Sequence, residues 1–298
     1  MSHITGLLAG QWGIEGARVE PLDGGMSSLT WSVESVEDKA GRRYAVKSVD
    51  AERYGRQFAE GLSAAARLSA AGIPARAPVP TLGDALTVLV EGRVIALLDW
   101  VAGTPVEQDT PEGMATVGRT LARAHLAPGS VPGNSRIEPY LDPTDGHLDV
   151  RPWVGPAIER ARKAVNALDV AGLTWGPLHG DPAAEAFLLQ GDGTCGLIDW
   201  GAYTVGPRVF DLASAVMYAG GIECGGPLVE AYLAEGGLGR DEVARALEPM
   251  LGWRWACQAW YFARRTATGE MTGIDDPSEN EKGLADARAY LDPGGCGQ

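Results

Sequence analysis

The sequence predicts an α+β chain of two lobes: a small β-rich N-terminal lobe with one helix, and a larger, mainly helical C-terminal lobe. Three observations carry this. Short segments with β-branched alternation around glycine turns fill the first third of the chain. The pattern changes after AGTP, residues 102 to 105, and from VFDLASAVMYAGG at residue 209 onward it is mostly helical. The expected boundaries are 1–98 for the N-terminal lobe, 99–103 for a hinge, and 104–298 for the C-terminal lobe.

Each element has its own warrant. ARVEPLDGGMSSLTWSVESV places glycines between two alternating runs, a hairpin signature, and RRYAVKSV is a further short strand. In ERYGRQFAEGLSAAARLSAAGI, Phe58, Leu62, Ala65 and Leu68 form one helical stripe; Gly72 is a C′ stop ahead of Pro74. ALTVLVEGRVIALLDWV reads as a hairpin turning at Glu91 and Gly92. Thr110 is the N-cap and Pro111 the first residue of the helix in DTPEGMATVGRTLARAHLA. The stretch from Pro128 to Trp153 is polar and rich in Gly and Pro, hence loop-like. A helix near GPAIERARKAVNALDVAG leads to strand-like GPLHGD, and AFLLQGDGTCGLIDW reads as two short strands around a glycine turn.

Composition excludes several classes. A chain of 298 residues with 45% hydrophobic and 21% charged residues has ample material for a soluble core. A net charge of -14 argues against nucleic acid and anionic membranes as partners, and an acidic surface would accept a cationic substrate. Cys195, Cys224, Cys257 and Cys296 are scattered without a C-x-x-C, the usage of a reducing compartment. MSHITGLLAGQWG lacks a basic n-region and a long apolar stretch, so no signal peptide is expected, and a cytoplasmic location follows as the default. GDGTCG at 191–196 matches G-x-G-x-x-G, but strand-like LIDW follows it where a dinucleotide site needs a helix. G-x-x-x-x-G-K-[ST], G-x-S-x-G and H-E-x-x-H are all missing from the sequence.

The sequence also offers a candidate for each part of phosphoryl transfer, which needs cations and amide donors around phosphates, metal ligands, and a carboxylate for the acceptor hydroxyl. Lys47 lies inside an apolar strand in a chain with only four lysines among 25 basic residues. It reads either as a snorkelling surface lysine or as a phosphate contact held by a glutamate of the next helix, Glu60 or else Glu52. The turn DGGMSS, with Gly24, Gly25 and Ser27, could fold over phosphates with its N–H groups, or could simply turn a hairpin. Asp181 in LHGDP and Asp199 in GLIDWG follow strand-like runs. Two short strands joined by a tight turn would bring both carboxylates to one end, one for an acceptor hydroxyl and one for Mg²⁺.

PLHGDPAAEAFLLQGDGTCGLIDWG with GPRVFDLASAV resembles the aminoglycoside phosphotransferase and choline kinase-like family, which has the protein-kinase-like fold. The likeness extends to YAVK and Glu60, LLDWVAGTP, VGRTLARAHLA and QAWYFARR. The resemblance implies ATP or GTP with Mg²⁺ as cofactors, and an extended connector joining lobes that hold nucleotide in the cleft between them. It makes Asp181 the catalytic base or hydroxyl-positioning residue and Asp199 the metal ligand. Lys47 would meet the α/β-phosphates, held by Glu60, and backbone groups of Asp99 and Val101 would meet adenine. Asp211 and His179 would brace the catalytic loop.

One position departs from the family. Five residues after Asp181, where an asparagine usually holds metal, stands Ala186, whose methyl cannot ligate Mg²⁺. Glu185 next to it carries a hard oxygen and either takes over or faces solvent. The leading expectation is a kinase acting on an alcohol of a small molecule, an antibiotic or natural product. The alternatives are a Ser/Thr kinase of a precursor peptide and a non-catalytic nucleotide-binding partner protein. His125 is expected to be a packed helix histidine. Trp253, Trp255, Trp260 and Tyr261 either wall an acceptor pocket or belong to the core.

Overall fold

In the computed structural model, residues 2–22, 25–35, 41–128 and 146–292 are described. The helices in chain order are α1 (Ser2–Trp12), α2 (Ala51–Ala70), α3 (Pro111–Leu126), α4 (Val154–Asn166), α5 (Arg208–Tyr218), α6 (Gly226–Ala234), α7 (Arg240–Thr268) and α8 (Ser278–Leu291). The first strands are β1 (Arg18–Leu22), β2 (Ser28–Glu34), β3 (Arg43–Asp50), β4 (Pro78–Val79), β5 (Val88–Val90), β6 (Arg93–Asp99) and β7 (Thr104–Pro105). They are followed by β8 (Trp175–Leu178), β9 (Phe187–Leu189), β10 (Cys195–Leu197) and β11 (Thr204–Pro207). The chain divides into two compact units. The first comprises the described parts of Met1–Pro105, Ala127–Pro132 and Ala186–Tyr203; the second comprises those of Val106–Leu126, Gly133–Glu185 and Thr204–Gln298. The segment carrying Asp199 therefore folds with the first unit, although it falls in the range expected for the C-terminal lobe.

The first unit is built on an antiparallel sheet in the order β1-β2-β3-β6-β4, with β5 also pairing β6. Residue alternation sends the two faces of the sheet to different helices. Val19, Val33, Val46 and Leu97 pack with Ile4, Leu8 and Trp12 of α1. Ala45, Val49, Ala96 and Leu98 pack with Phe58 and Leu62 of α2. Each large side chain so buried contributes about 1.5–3 kcal/mol. The β5–β6 hairpin turns at Glu91 and Gly92, with φ of 49° and 75°, the two positive values a type I′ turn needs. The Asp50 carboxylate caps α2 by accepting the Arg53 N–H at 2.9 Å. The helix α1 adds to the single helix expected here. Ile4, Leu8 and Trp12 recur every fourth residue, but Gly6 and Gly10 between them weaken the helical signal.

In the second unit β8 pairs antiparallel with β11, Leu178 opposite Thr204. The hairpin β9–β10 belongs to the other unit and extends to β7. The single hairpin expected to carry both carboxylates is thus corrected. Asp181 follows β8 and Asp199 follows β10, because each strand finds its partner elsewhere. The helical body packs α3 against α6, and α4, α5 and α8 against the 29-residue α7. Gly118 permits the α3–α6 approach, since a Cβ there would lie 2.2 Å from the Leu228 carbonyl oxygen. Thr110 Oγ1 accepts the Gly113 N–H at 3.1 Å, as its N-cap reading requires. Among the described residues no helix is long and apolar enough to cross a membrane.

Candidate active site

Lys47 shares a face of β3 with Ala45 and Val49, so its side chain runs over the α2 side of the sheet, where it is 8% exposed. A buried ammonium needs a partner. That partner is Asp199, whose Oδ1 accepts from Lys47 Nζ. The expected partner, Glu60, accepts instead from Arg56 Nε one helical turn away, at 3.1 Å. Glu52 lies in the first turn of α2 and is exposed. Asp199 has left-handed backbone angles, φ 67° and ψ 59°, which turn the chain sharply after β10. Its carboxylate also accepts the Gly201 N–H at 3.4 Å. The next residue, Trp200, is anchored by its indole N–H to the Leu197 carbonyl at 2.8 Å. Gly61 lets α2 approach this turn, because a Cβ there would sit 2.0 Å from the Trp200 carbonyl oxygen.

Lys47 and Asp199 line one small pocket with Phe58, Leu62, Ala65 and Arg76. Arg76 was invisible to sequence reasoning, yet its φ of 52° is strained and its guanidinium lies 5.3 Å from the Trp100 ring. Burial lowers the Arg76 pKa, and the Asp199 charge works against that. On the same indole Arg43 stacks at 3.9 Å. The backbone N–H of Asp99 is taken by the Ala77 carbonyl at 2.8 Å. Burial also raises the Asp99 pKa. Val101 is buried in an apolar cluster with Leu188 and Ile198. In the β1–β2 turn Gly25 is described, and a Cβ there would meet the Ser28 carbonyl at 2.6 Å; Ser27 is exposed. Gly24 lies outside the described residues.

In the second unit the loop after β8 is held from below. Asp211 of α5, fully buried, accepts the His179 N–H at 2.6 Å on Oδ2 and the Gly180 N–H at 2.9 Å on Oδ1. His125 Nε2 lies 3.0 Å from the same Oδ2, and its Nδ1 lies 2.7 Å from the Tyr232 hydroxyl. His125 is therefore part of a buried polar network on α3 as well as a packed histidine. His179 is buried, and its ring accepts the Asp181 N–H at 3.4 Å.

Asp181 emerges from this brace with its side chain 49% exposed. Tyr218 donates to Asp181 Oδ1 at 2.6 Å, and Arg254 Nη2 donates to the same oxygen at 2.7 Å. Neither donor was singled out in the sequence. Glu185 is exposed in a 3-10 turn, Ala184–Ala186. Ala186 itself, in the first unit, is 4% exposed, and its carbonyl accepts the Ile198 N–H at 2.8 Å. Of the aromatic residues on α7, Trp253 is core at 2% exposure, and Trp255 stacks on Tyr290 with centroids 5.7 Å apart. Trp260 meets His147 edge-on at 5.2 Å. Gly191 to Gly196 include the tip of the β9–β10 hairpin, where Gly193 has φ 84°; this is a turn and no nucleotide fingerprint.

The fold defined by these elements is protein-kinase-like. It is shared with an amicoumacin kinase solved in complex with AMP-PNP, Ca²⁺ and Ami, at a TM-score of 0.76 and 14% identity over 97% of this chain and 92% of that one. It is likewise shared with a spectinomycin phosphotransferase solved with ADP and spectinomycin, at a TM-score of 0.65 and 15% identity over 98% and 94%. The model of the phosphotransferase enzyme family matches residues 18–247, and the chain belongs to that family. A homoserine kinase of Methylobacillus glycogenes is 24% identical over 163 residues, 50% of this chain and 48% of its own length. The chain spans about half the length of the curated relatives it matches.

Proposed function

We propose that the protein transfers the γ-phosphoryl group of ATP or GTP, with Mg²⁺, to a hydroxyl of a small molecule, an antibiotic or another natural product. The observation that carries this reading is the Lys47–Asp199 pair. A buried lysine on a central strand, matched to a carboxylate that keeps 55% of its side chain exposed, is suited to receive a nucleotide phosphate and a hard cation. Asp199 would hold the metal, and Glu185 would offer an oxygen of the same chemical type. Bound there, Mg²⁺ offsets negative charge on the phosphates. Lys47 would neutralise the α/β-phosphates, with the N–H groups of the turn at Gly24, Gly25 and Ser27 as further donors. The carbonyl of Asp99 and the backbone of Val101 would orient the base.

Asp181 would meet the acceptor. As the acceptor oxygen bonds to the γ-phosphorus, the bond to the β,γ-bridging oxygen breaks and its electron pair leaves with the nucleoside diphosphate. The hydroxyl proton passes to the Asp181 carboxylate. The acceptor class is supported by the names of similar proteins: an amicoumacin kinase, a spectinomycin phosphotransferase and a homoserine kinase.

The test is a nucleotide-consumption screen over hydroxylated antibiotics, small amino alcohols and Ser/Thr peptides, with mass detection of an added phosphoryl group. The expected result is one small-molecule product, lost in Asp181→Asn with nucleotide affinity kept, and impaired nucleotide binding in Asp199→Ala. A phosphorylated peptide with no small-molecule product would overturn the acceptor class; nucleotide binding without turnover would overturn catalysis.

A further inference from the structure

The environment of Asp181 is unusual for a group that must receive a proton. Its Oδ1 is contacted by two donors at once, the Tyr218 hydroxyl at 2.6 Å and Arg254 Nη2 at 2.7 Å. Arg254 Nη2 also reaches the Tyr218 oxygen at 3.0 Å, which closes a triangle. The Arg254 side chain is 10% exposed, so its charge has been taken out of water to meet this one carboxylate. Tyr218 is the last residue of α5 and Arg254 stands mid-way along α7, so two packed helices fix the donors. The packing around the Tyr218 hydroxyl, and then the adjacent Asp181 charge, push its pKa up. It therefore stays protonated and donates. Burial acts to lower the Arg254 pKa, but Tyr218 and Asp181 more than offset this and raise it.

Such a bidirectional hold has a geometric consequence. A carboxylate pinned by one oxygen cannot rotate about its Cβ–Cγ bond without breaking two charge-assisted bonds, each stronger than a neutral one. Its second oxygen then points in one direction. We infer that Tyr218 and Arg254 are positioning residues that grip Asp181 by Oδ1 and present Oδ2 to the acceptor hydroxyl. This rests on the reading of Asp181 given above. Held in this way, Asp181 orients the hydroxyl, which suits a reaction in which the protein's main work is positioning.

The experiment uses the full chain with Mg²⁺ and ATP and water as acceptor, reading phosphate release together with nucleotide dissociation constants. The variants are Tyr218→Phe, Arg254→Met, Arg254→Lys, Asp181→Asn and the double variant Asp181→Asn/Tyr218→Phe. Removing one hydrogen bond to a charged group should slow turnover about 10-fold in Tyr218→Phe, with nucleotide affinity held. Arg254→Lys should be faster than Arg254→Met, because a cation is retained. In the Asp181→Asn background Tyr218→Phe should add almost nothing, since a residue acting through Asp181 has no separate effect once that carboxylate is gone. Full additivity in the double variant, or wild-type turnover in Tyr218→Phe, overturns the grip while leaving Asp181 in place. Wild-type turnover in Asp181→Asn overturns the assignment of Asp181 itself, and the grip with it. Tyr218→Phe changes only a hydroxyl on a ring that is 38% exposed, so it separates function from folding even where Arg254→Met does not fold.

Discussion

Asp211, fully buried, holds the loop that carries Asp181 through Gly180, whose N–H lies 2.9 Å from Asp211 Oδ1. Its Oδ2 takes the His179 N–H and also faces His125. Truncation in Asp211→Ala leaves two backbone donors and an imidazole buried without their acceptor. We expect a stability loss of about 3–5 kcal/mol, read by urea denaturation. Asp211→Asn keeps an acceptor oxygen and should lose less. Equal stability of Asp211→Ala and the wild type would show that this network carries no folding energy.

The turn at Trp200 predicts a second outcome. A Cβ at Gly61 would fall 2.0 Å from the Trp200 carbonyl oxygen and 3.3 Å from Tyr203 Cβ, so α2 or the turn after Asp199 must move. Gly61→Ala should cost about 1–3 kcal/mol and weaken nucleotide binding, because Asp199 is displaced from Lys47. Gly6→Ala in α1 is the contrast. Nothing lies within 4 Å of a Cβ there, and the substitution should gain about 1 kcal/mol. Calorimetry with and without nucleotide distinguishes the two; a Gly61→Ala protein that binds nucleotide normally would contradict the placement of Asp199.

How much of this was legible depended on whether the signal was local. The Glu91–Gly92 turn and the Thr110 cap could be read because the residues that make them adjoin in sequence. Asp181 and Asp199 stood out because their neighbours form a motif. The partner of Lys47 did not, since Asp199 lies 152 positions away and Glu60, in the next helix, was the expected partner. Glu60 is taken by Arg56 four residues earlier, a pairing that helical geometry favours and that helical spacing could have suggested. Tyr218 and Arg254 carried no signal at all. One is a tyrosine ending an apolar helix and the other an arginine among tryptophans, and only tertiary packing brings them to Asp181.

Cys257 supplies a pH-dependent outcome. Burial pushes its thiol up to about 12, with Arg254 acting against that. Because the folded pKa lies above the unfolded one, the thiol contributes stability that is fully present below about pH 8.5 and is lost as pH rises toward 12. Alkylation at pH 8.5, followed by peptide mass mapping, should modify the exposed Cys224 quickly and Cys257 only on unfolding. Cys257→Ser or Cys257→Ala should flatten the alkaline part of the stability profile. Prompt labelling of Cys257 in the native protein would show that the core around Arg254 opens.

The missing asparagine gives the last prediction. Ala186 is 4% exposed and cannot bind a cation, whereas Glu185 beside it is exposed and carries a carboxylate. A carboxylate is a stronger ligand for a hard cation than the amide it would replace, so a working kinase can use it in that role. Losing one such ligand should weaken the metal by at least about 1.4 kcal/mol, which is tenfold in concentration. Glu185→Ala should accordingly raise the Mg²⁺ needed for half-maximal turnover about 10-fold and slow the reaction. Adding Ala186→Asn to that variant should restore part of both, because an amide oxygen returns at the usual position. Ca²⁺ and Mn²⁺ titrations of the same proteins would locate the effect in metal affinity and not in folding. If Glu185→Ala titrates with Mg²⁺ as the wild type does, Asp199 suffices as the protein's metal ligand, and Glu185 is a solvated loop residue.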